Sequence, residues 1–156
     1  MESGILYQDE DLRKEHTRTW LNIMSLHSVV FSELNRALSD QCGISLPKFD
    51  TMAHLYRFPD GMSMSNLSNA LRVSNGNVSG LVNRLIKEGL VQKEMSLEDR
   101  RSFRARLTNE GKDKFEDALR VHQEVLADMF ADLHPEEMTK IAATIRDLLV
   151  KLGARR

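Results

Sequence analysis

One cysteine, three prolines, one tryptophan and an aromatic content of 6% leave this 156-residue chain poor in the residues that mark special classes. Cys42 alone closes no intrachain disulfide and supplies no all-cysteine metal site, and a free cysteine of this kind is expected to serve packing. Few prolines, eight glycines and 41% hydrophobic residues exclude collagen-like, low-complexity and disordered chains. Apolar runs are only a few residues long, so no membrane-spanning segment is expected. Residues 1–11 are acidic, without the basic start and apolar stretch of a signal peptide. These absences predict a soluble cytoplasmic protein. The five histidines, at 16, 27, 54, 122 and 134, show no metal-ligand spacing, so neither metal nor cofactor is expected.

An excess of one charge is also missing overall, at a net −1, but not locally. Residues 62–107 carry eight basic and four acidic side chains, and this +4 segment sits in a remainder of −5. A protein that docks on a polyanion through one face needs such a local excess, not a high overall pI.

Hydrophobic periodicity orders the chain. Trp20, Met24, His27, Phe31, Leu34 and Leu38 recur at spacings of four and three, predicting a helix from Asp11 to Gln41 that Gly43 ends. Pro47 opens a second helix, with Phe49, Met52, Ala53 and Tyr56 on one stripe, closed by Phe58-Pro59-Asp60-Gly61. Ser63 and Ser74 are N-cap candidates for two short helices, Met64 to Leu71 and a second running to Glu88. Joined by Arg72-Val73, they read as a helix-turn-helix. Strands follow at Leu90–Met95 and Phe103–Leu107, the latter alternating Phe103, Ala105 and Leu107 with Arg104 and Arg106. Thr108 caps a helix expected to reach Leu133, and Pro135 starts a last one to about Leu152. The expected fold is mostly α with a small β wing. A winged helix-turn-helix over residues 45–107 lies between long N- and C-terminal helices at 11–41 and 108–152 that form a dimerisation region.

Chemistry points to DNA. With Val78, Leu81, Val82 and Leu85 facing inward, the opposite face of the second short helix holds Gly76, Gly80, Asn83 and Lys87, flanked by Asn77 and Arg84. That face is small, polar and basic, as a major groove about 12 Å wide requires. Ser74, Asn75, Asn77, Ser79, Gly80, Asn83, Arg84 and Lys87 are the candidate contacts there. Arg100, Arg101, Arg104 and Arg106 crowd the hairpin, whose tip can reach a minor groove, and Asp99 is read as a brace for its neighbouring guanidinium. Two other classes, an enzyme and a protein-binding winged helix, fit less well. An enzyme would need a nucleophile, a base and an orienting partner, and no motif places Thr51 with His54, Ser25 with His27 and Asp50, or Ser102 in those roles. A winged helix that binds protein instead of DNA would not require the arginine hairpin.

Residues 73–85, Glu88-Gly89-Leu90-Val91, Asp99-Arg100-Arg101 and Leu107-Thr108-Asn109-Glu110-Gly111 resemble the MarR family of bacterial regulators, winged helix-turn-helix dimers. The resemblance covers about Leu12 to Leu152. Lys93 stands where many relatives have Arg, and Asn83 where Asp is common. The resemblance implies a homodimer built from Asp11–Arg18, the end of the fifth helix and the sixth, reading a pseudo-palindromic operator in double-stranded DNA. It also implies a repressor released by a small-molecule effector. Trp20, His27 and Phe31, with His54 and Tyr56 on the next helix, are the candidate ligand residues, suited to an aromatic acid or its thioester.

Overall fold

A computed structural model of the chain describes residues 3–95 and 103–153, with side chains from residue 10 onward. Helix α1 runs from Ser3 to Cys42, longer at its start than the apolar stripe indicates. The four-and-three spacing starts only at Trp20, but no proline stands between Ser3 and that stripe to stop a helix. Gly43 terminates it at φ +66, and Cys42 is buried. The amide of Leu46 donates to Asn35 Oδ1 at 2.9 Å, fastening the start of α2 (Leu46–Arg57) to α1.

The turn Phe58–Gly61 leads into β1 (Met62–Ser63), a strand too short to show a period in the sequence. It is followed by α3 (Met64–Leu71), α4 (Asn75–Lys87), β2 (Val91–Met95), β3 (Phe103–Leu107), α5 (Asn109–Met129) and α6 (Pro135–Gly153). Both serine caps form: Ser63 Oγ accepts from the Asn66 amide at 3.1 Å, and Ser74 Oγ from that of Asn77 at 3.4 Å. Between α3 and α4 the chain turns through Arg72 in the left-handed region, φ 55, and Ser68 Oγ donates to the Val73 carbonyl at 2.7 Å. The sheet has order β1-β3-β2, antiparallel throughout, with Met62 opposite Ala105 and Val91 opposite Leu107. β3 thus lies between its two neighbours, and Ala105 is fully buried.

Phe103 departs from the alternation expected of it. It pairs with Met95 beyond the reach of β1, and it is 52% exposed. α5 ends at Met129, four residues before the expected Leu133. The chain turns tightly through Phe130–Leu133, and the His134 amide donates to Glu137 Oε2 at 2.9 Å. A carboxylate three residues on that reaches back to the N-cap amide starts α6. The core gathers Leu34, Leu38, Met52, Leu55, Leu67, Val78, Val82, Leu85 and Phe115 from α1 to α5. No residue of α6 is buried. Among the described residues no helix is long and apolar enough to cross a membrane.

Candidate nucleic-acid interface and effector cleft

Val78, Val82 and Leu85 anchor α4 with no exposed surface, which fixes the helix's outward side. Asn75, Gly76, Asn77, Asn83, Arg84 and Lys87 are exposed there, and Ser79 and Gly80 are half-buried. Leu81, expected inward, is only half-buried. A Cβ built on Gly76 meets nothing within 4 Å, and one on Gly80 meets only the Arg84 guanidinium at 4.0 Å. The packing of the described residues therefore requires neither glycine, although Gly80, inside the helix, costs about 1 kcal/mol relative to alanine. Among the described residues, Arg84 and Lys87 have no carboxylate partner.

The strand arginines, candidate DNA contacts, are also engaged within the chain. Arg104 is half-buried, and its Nη2 donates to the Gly61 carbonyl at 2.6 Å, clamping the turn that precedes β1. Arg106 pairs with Glu94 across the wing at 2.7 Å. Both are tied by neighbours distant in sequence, which alternation along one strand cannot reveal. Asp99, Arg100 and Arg101 lie outside the described residues. Lys93 reaches from β2 to Asn83 Oδ1 at 3.1 Å.

The five candidate ligand residues separate in space. His54 and Tyr56 line a cleft of about 650 Å³ between α2, α3 and α5, together with Asp50, Arg57, Leu71 and His122. Trp20, His27 and Phe31 are not among its lining residues; they lie exposed on α1, where His27 and Phe31 contact each other at 5.7 Å between ring centroids. One wall of the cleft is a ladder of rings. His122 stacks on Phe49 at 4.7 Å, Phe49 on Phe115 at 5.3 Å, and Tyr56 tilts against Phe115 at 4.7 Å. Tyr56 Oη donates to Glu116 Oε1 at 2.7 Å, tying α2 to α5 at the rim and raising the phenol's pKa.

His122 and Asp50 line the cleft but are not among the ligand residues expected from the sequence. The signal for His122 was present, because it falls in register with Phe115 and Leu119 on the apolar face of α5. Asp50, named above only beside Ser25 and His27, is an exposed residue of α2 that lines the cleft opposite His122. Burial lowers the His122 pKa, against a smaller opposing attraction to Asp50. Burial raises the Asp50 pKa, against the attraction of His122 and His54. His122 Nδ1 is buried with no hydrogen-bond partner among the described residues.

These shifts carry a pH dependence. The fold favours neutral His122, so below the ordinary histidine pKa of about 6.5 the unfolded chain binds a proton that the folded chain resists, and stability falls. The Asp50 shift acts oppositely, destabilising as pH rises from the ordinary aspartate range of about 3.9 toward its raised folded value. Melting temperature is therefore expected to drop between pH 7 and 6, and His122→Phe, which keeps the ring on Phe49, should flatten that drop. An unchanged slope in calorimetry would remove His122 as the source.

The sequence model of the MarR family matches residues 43–102. A MarR family transcriptional regulator from Silicibacter pomeroyi is 47% identical, covers 91% of this chain and 98% of its own, and superposes with a TM-score of 0.80. The chain belongs to the MarR family. Among other relatives of this MarR-family regulator is the HTH-type transcriptional repressor YetL of Bacillus subtilis, 26% identical over 150 residues, spanning 89% of this chain and 90% of that one. The organohalide-sensing regulator RdhR, solved in its 2,4-dichlorophenol-bound form, is 25% identical with a TM-score of 0.77, covering 88% of this chain and 80% of that one. Membership agrees with the winged helix-turn-helix architecture and with a regulator rather than an enzyme.

Proposed function

We propose that this MarR-family protein is a homodimeric repressor that binds a pseudo-palindromic operator in double-stranded DNA and is released by a small aromatic effector. The bare α4 face carries the reading. Gly80 weakens the helix, none of the described residues requires it or Gly76, and the same face has no acidic residue before Glu88. A helix that enters a major groove needs such a surface, and Asn77, Arg84 and Lys87 supply the donors for bases and phosphates. On the wing, the half-buried Arg104 and Arg106 add positive charge beside this face, and Arg100 and Arg101 are kept as DNA contacts on the sequence alone.

The effector is assigned to the cleft between α2, α3 and α5. Its volume lies within the usual 300–1,000 Å³ of ligand sites, and the ring ladder suits a flat aromatic molecule. The chlorophenol held by RdhR supports that chemistry. His54, Tyr56, Asp50 and His122 supply polar contacts, while Trp20, His27 and Phe31 are assigned to the surface a second copy would cover. A ligand wedged against α2 and α3 releases the operator by favouring a spacing of the two α4 helices that no longer matches successive grooves, a population shift set by its differential affinity.

The test is binding to double-stranded DNA across a salt series. Lys87→Ala should weaken specific and random DNA alike and reduce the salt slope by about 0.9 for a lost phosphate contact. Asn77→Ala should relax sequence preference, at about 1–3 kcal/mol for a lost base contact. If both variants bind as wild type does, α4 is not in the groove. Titration of the complex with 2,4-dichlorophenol, for wild type and His54→Ala, tests the cleft: equal release from both places the effector elsewhere.

A further inference from the structure

On the exposed face of α4, Asn83 is held by a side chain from another element. Strand alternation puts Lys93 on the same side of the wing as buried Val91, opposite Ala105 in register, so its stem runs across the inner face toward α4. Its ammonium ends 3.1 Å from Asn83 Oδ1. A lysine only donates, so the amide must turn its oxygen to Lys93 and its NH2 away.

That orientation has a consequence for base recognition. Asparagine pairs with adenine by placing both ends of the amide on one base edge, the oxygen accepting from N6 and the nitrogen donating to N7. With the oxygen drawn to the wing, Asn83 offers a donor, and the remaining N–H groups of Lys93 add donors beside it. We propose that Lys93 makes Asn83 a donor-only reader whose preferred base is guanine, which shows two acceptors, N7 and O6, in the major groove, and not adenine. Lys93 is then a positioning residue that sets specificity through Asn83. The inference rests on the placement of α4 in the major groove proposed above.

Both residues are exposed, so substitutions there leave the core intact. The experiment is selection of binding sites from a random double-stranded DNA library by the full-length chain, for wild type, Asn83→Ala, Lys93→Met and Lys93→Arg, with thermal melting as the check on folding. The position where Asn83→Ala loses its preference is the one Asn83 reads. Guanine is expected there for wild type and for Lys93→Arg, which still donates. Lys93→Met frees the oxygen and should raise adenine relative to guanine at that position by about five-fold or more, the lower end of what one bidentate contact discriminates. A lost phosphate contact would instead change the salt slope by about 0.9 and leave the base ratio alone. Adenine at that position in wild type, or an unchanged ratio in Lys93→Met, overturns the proposal. Selected sites with no Asn83-dependent position overturn it while leaving DNA reading by α4 intact; failure of wild type to select any sequence removes both.

Discussion

Gly111→Ala is expected to destabilise the folded chain by about 3 kcal/mol or more, at the upper end of overpacking in a close-packed interior. Gly111 sits buried in the first turn of α5 against the backbone of Leu90. A Cβ there would lie 2.9 Å from the Leu90 carbonyl carbon and nearer still to its oxygen. No side chain can swing aside, because the obstacle is main chain. Nor can the main chain move cheaply, since the Leu90 carbonyl already accepts from the Thr108 amide at 3.1 Å. The same junction is fastened by Thr108, whose hydroxyl donates to the Gly89 carbonyl at 2.7 Å and accepts from the Gly111 amide at 2.9 Å. This contact carries the wing onto α5, so the substitution should loosen the wing as well as lower the melting temperature. Urea unfolding of both proteins gives the difference, and a loss below about 1 kcal/mol would mean that α5 can withdraw from Leu90 without penalty.

A second large effect is expected at α6. Ile141, Ile145, Leu148 and Leu149 recur at helical spacing, yet each is between 37% and 55% exposed in the single chain. Helices in proteins draw most of their stability from packing an apolar face, and α6 buries no residue in the single chain, so a cover over this stripe is expected to stabilise it. The exposed apolar residues of α1, among them Leu12, Trp20 and Leu21, offer the same kind of surface. Burial contributes about 1.5–3 kcal/mol for each large aliphatic side chain taken fully from water, so a second copy seated on this surface gains a stable interface from a few such residues. Ile145→Asp with Leu148→Asp should therefore reduce the sedimentation mass from twice 17.8 kDa to one chain and lower the helical content. Operator affinity should fall by about 100-fold or more, because a second half-site bound intramolecularly raises avidity by about 10² to 10⁴. A variant that stays dimeric moves the interface away from α6.

Much of the architecture was legible in the sequence because it is set over short distances. Ser63, Ser74 and Thr108 cap their helices through hydroxyls that reach only three residues ahead, and Gly43 and Gly89 take positive φ where a helix must stop. The buried stripe of α4 and the strand Phe103–Leu107 follow from periods of 3.6 and 2, which involve no partner. What only the tertiary structure decided lies across long separations. β1 exists because β3 offers it a ladder, and Arg104 turns inward because Gly61, 43 residues earlier, presents a carbonyl. His122 becomes part of the cleft, and Trp20 is left outside it, through the way α5 lies across α2. Asn83 acquires an orientation from a lysine ten residues away on another element. Caps and periods are local energies that a sequence carries in itself; the partners of a side chain in the cleft or on the wing are set by packing, where residues distant along the chain compete for the same space.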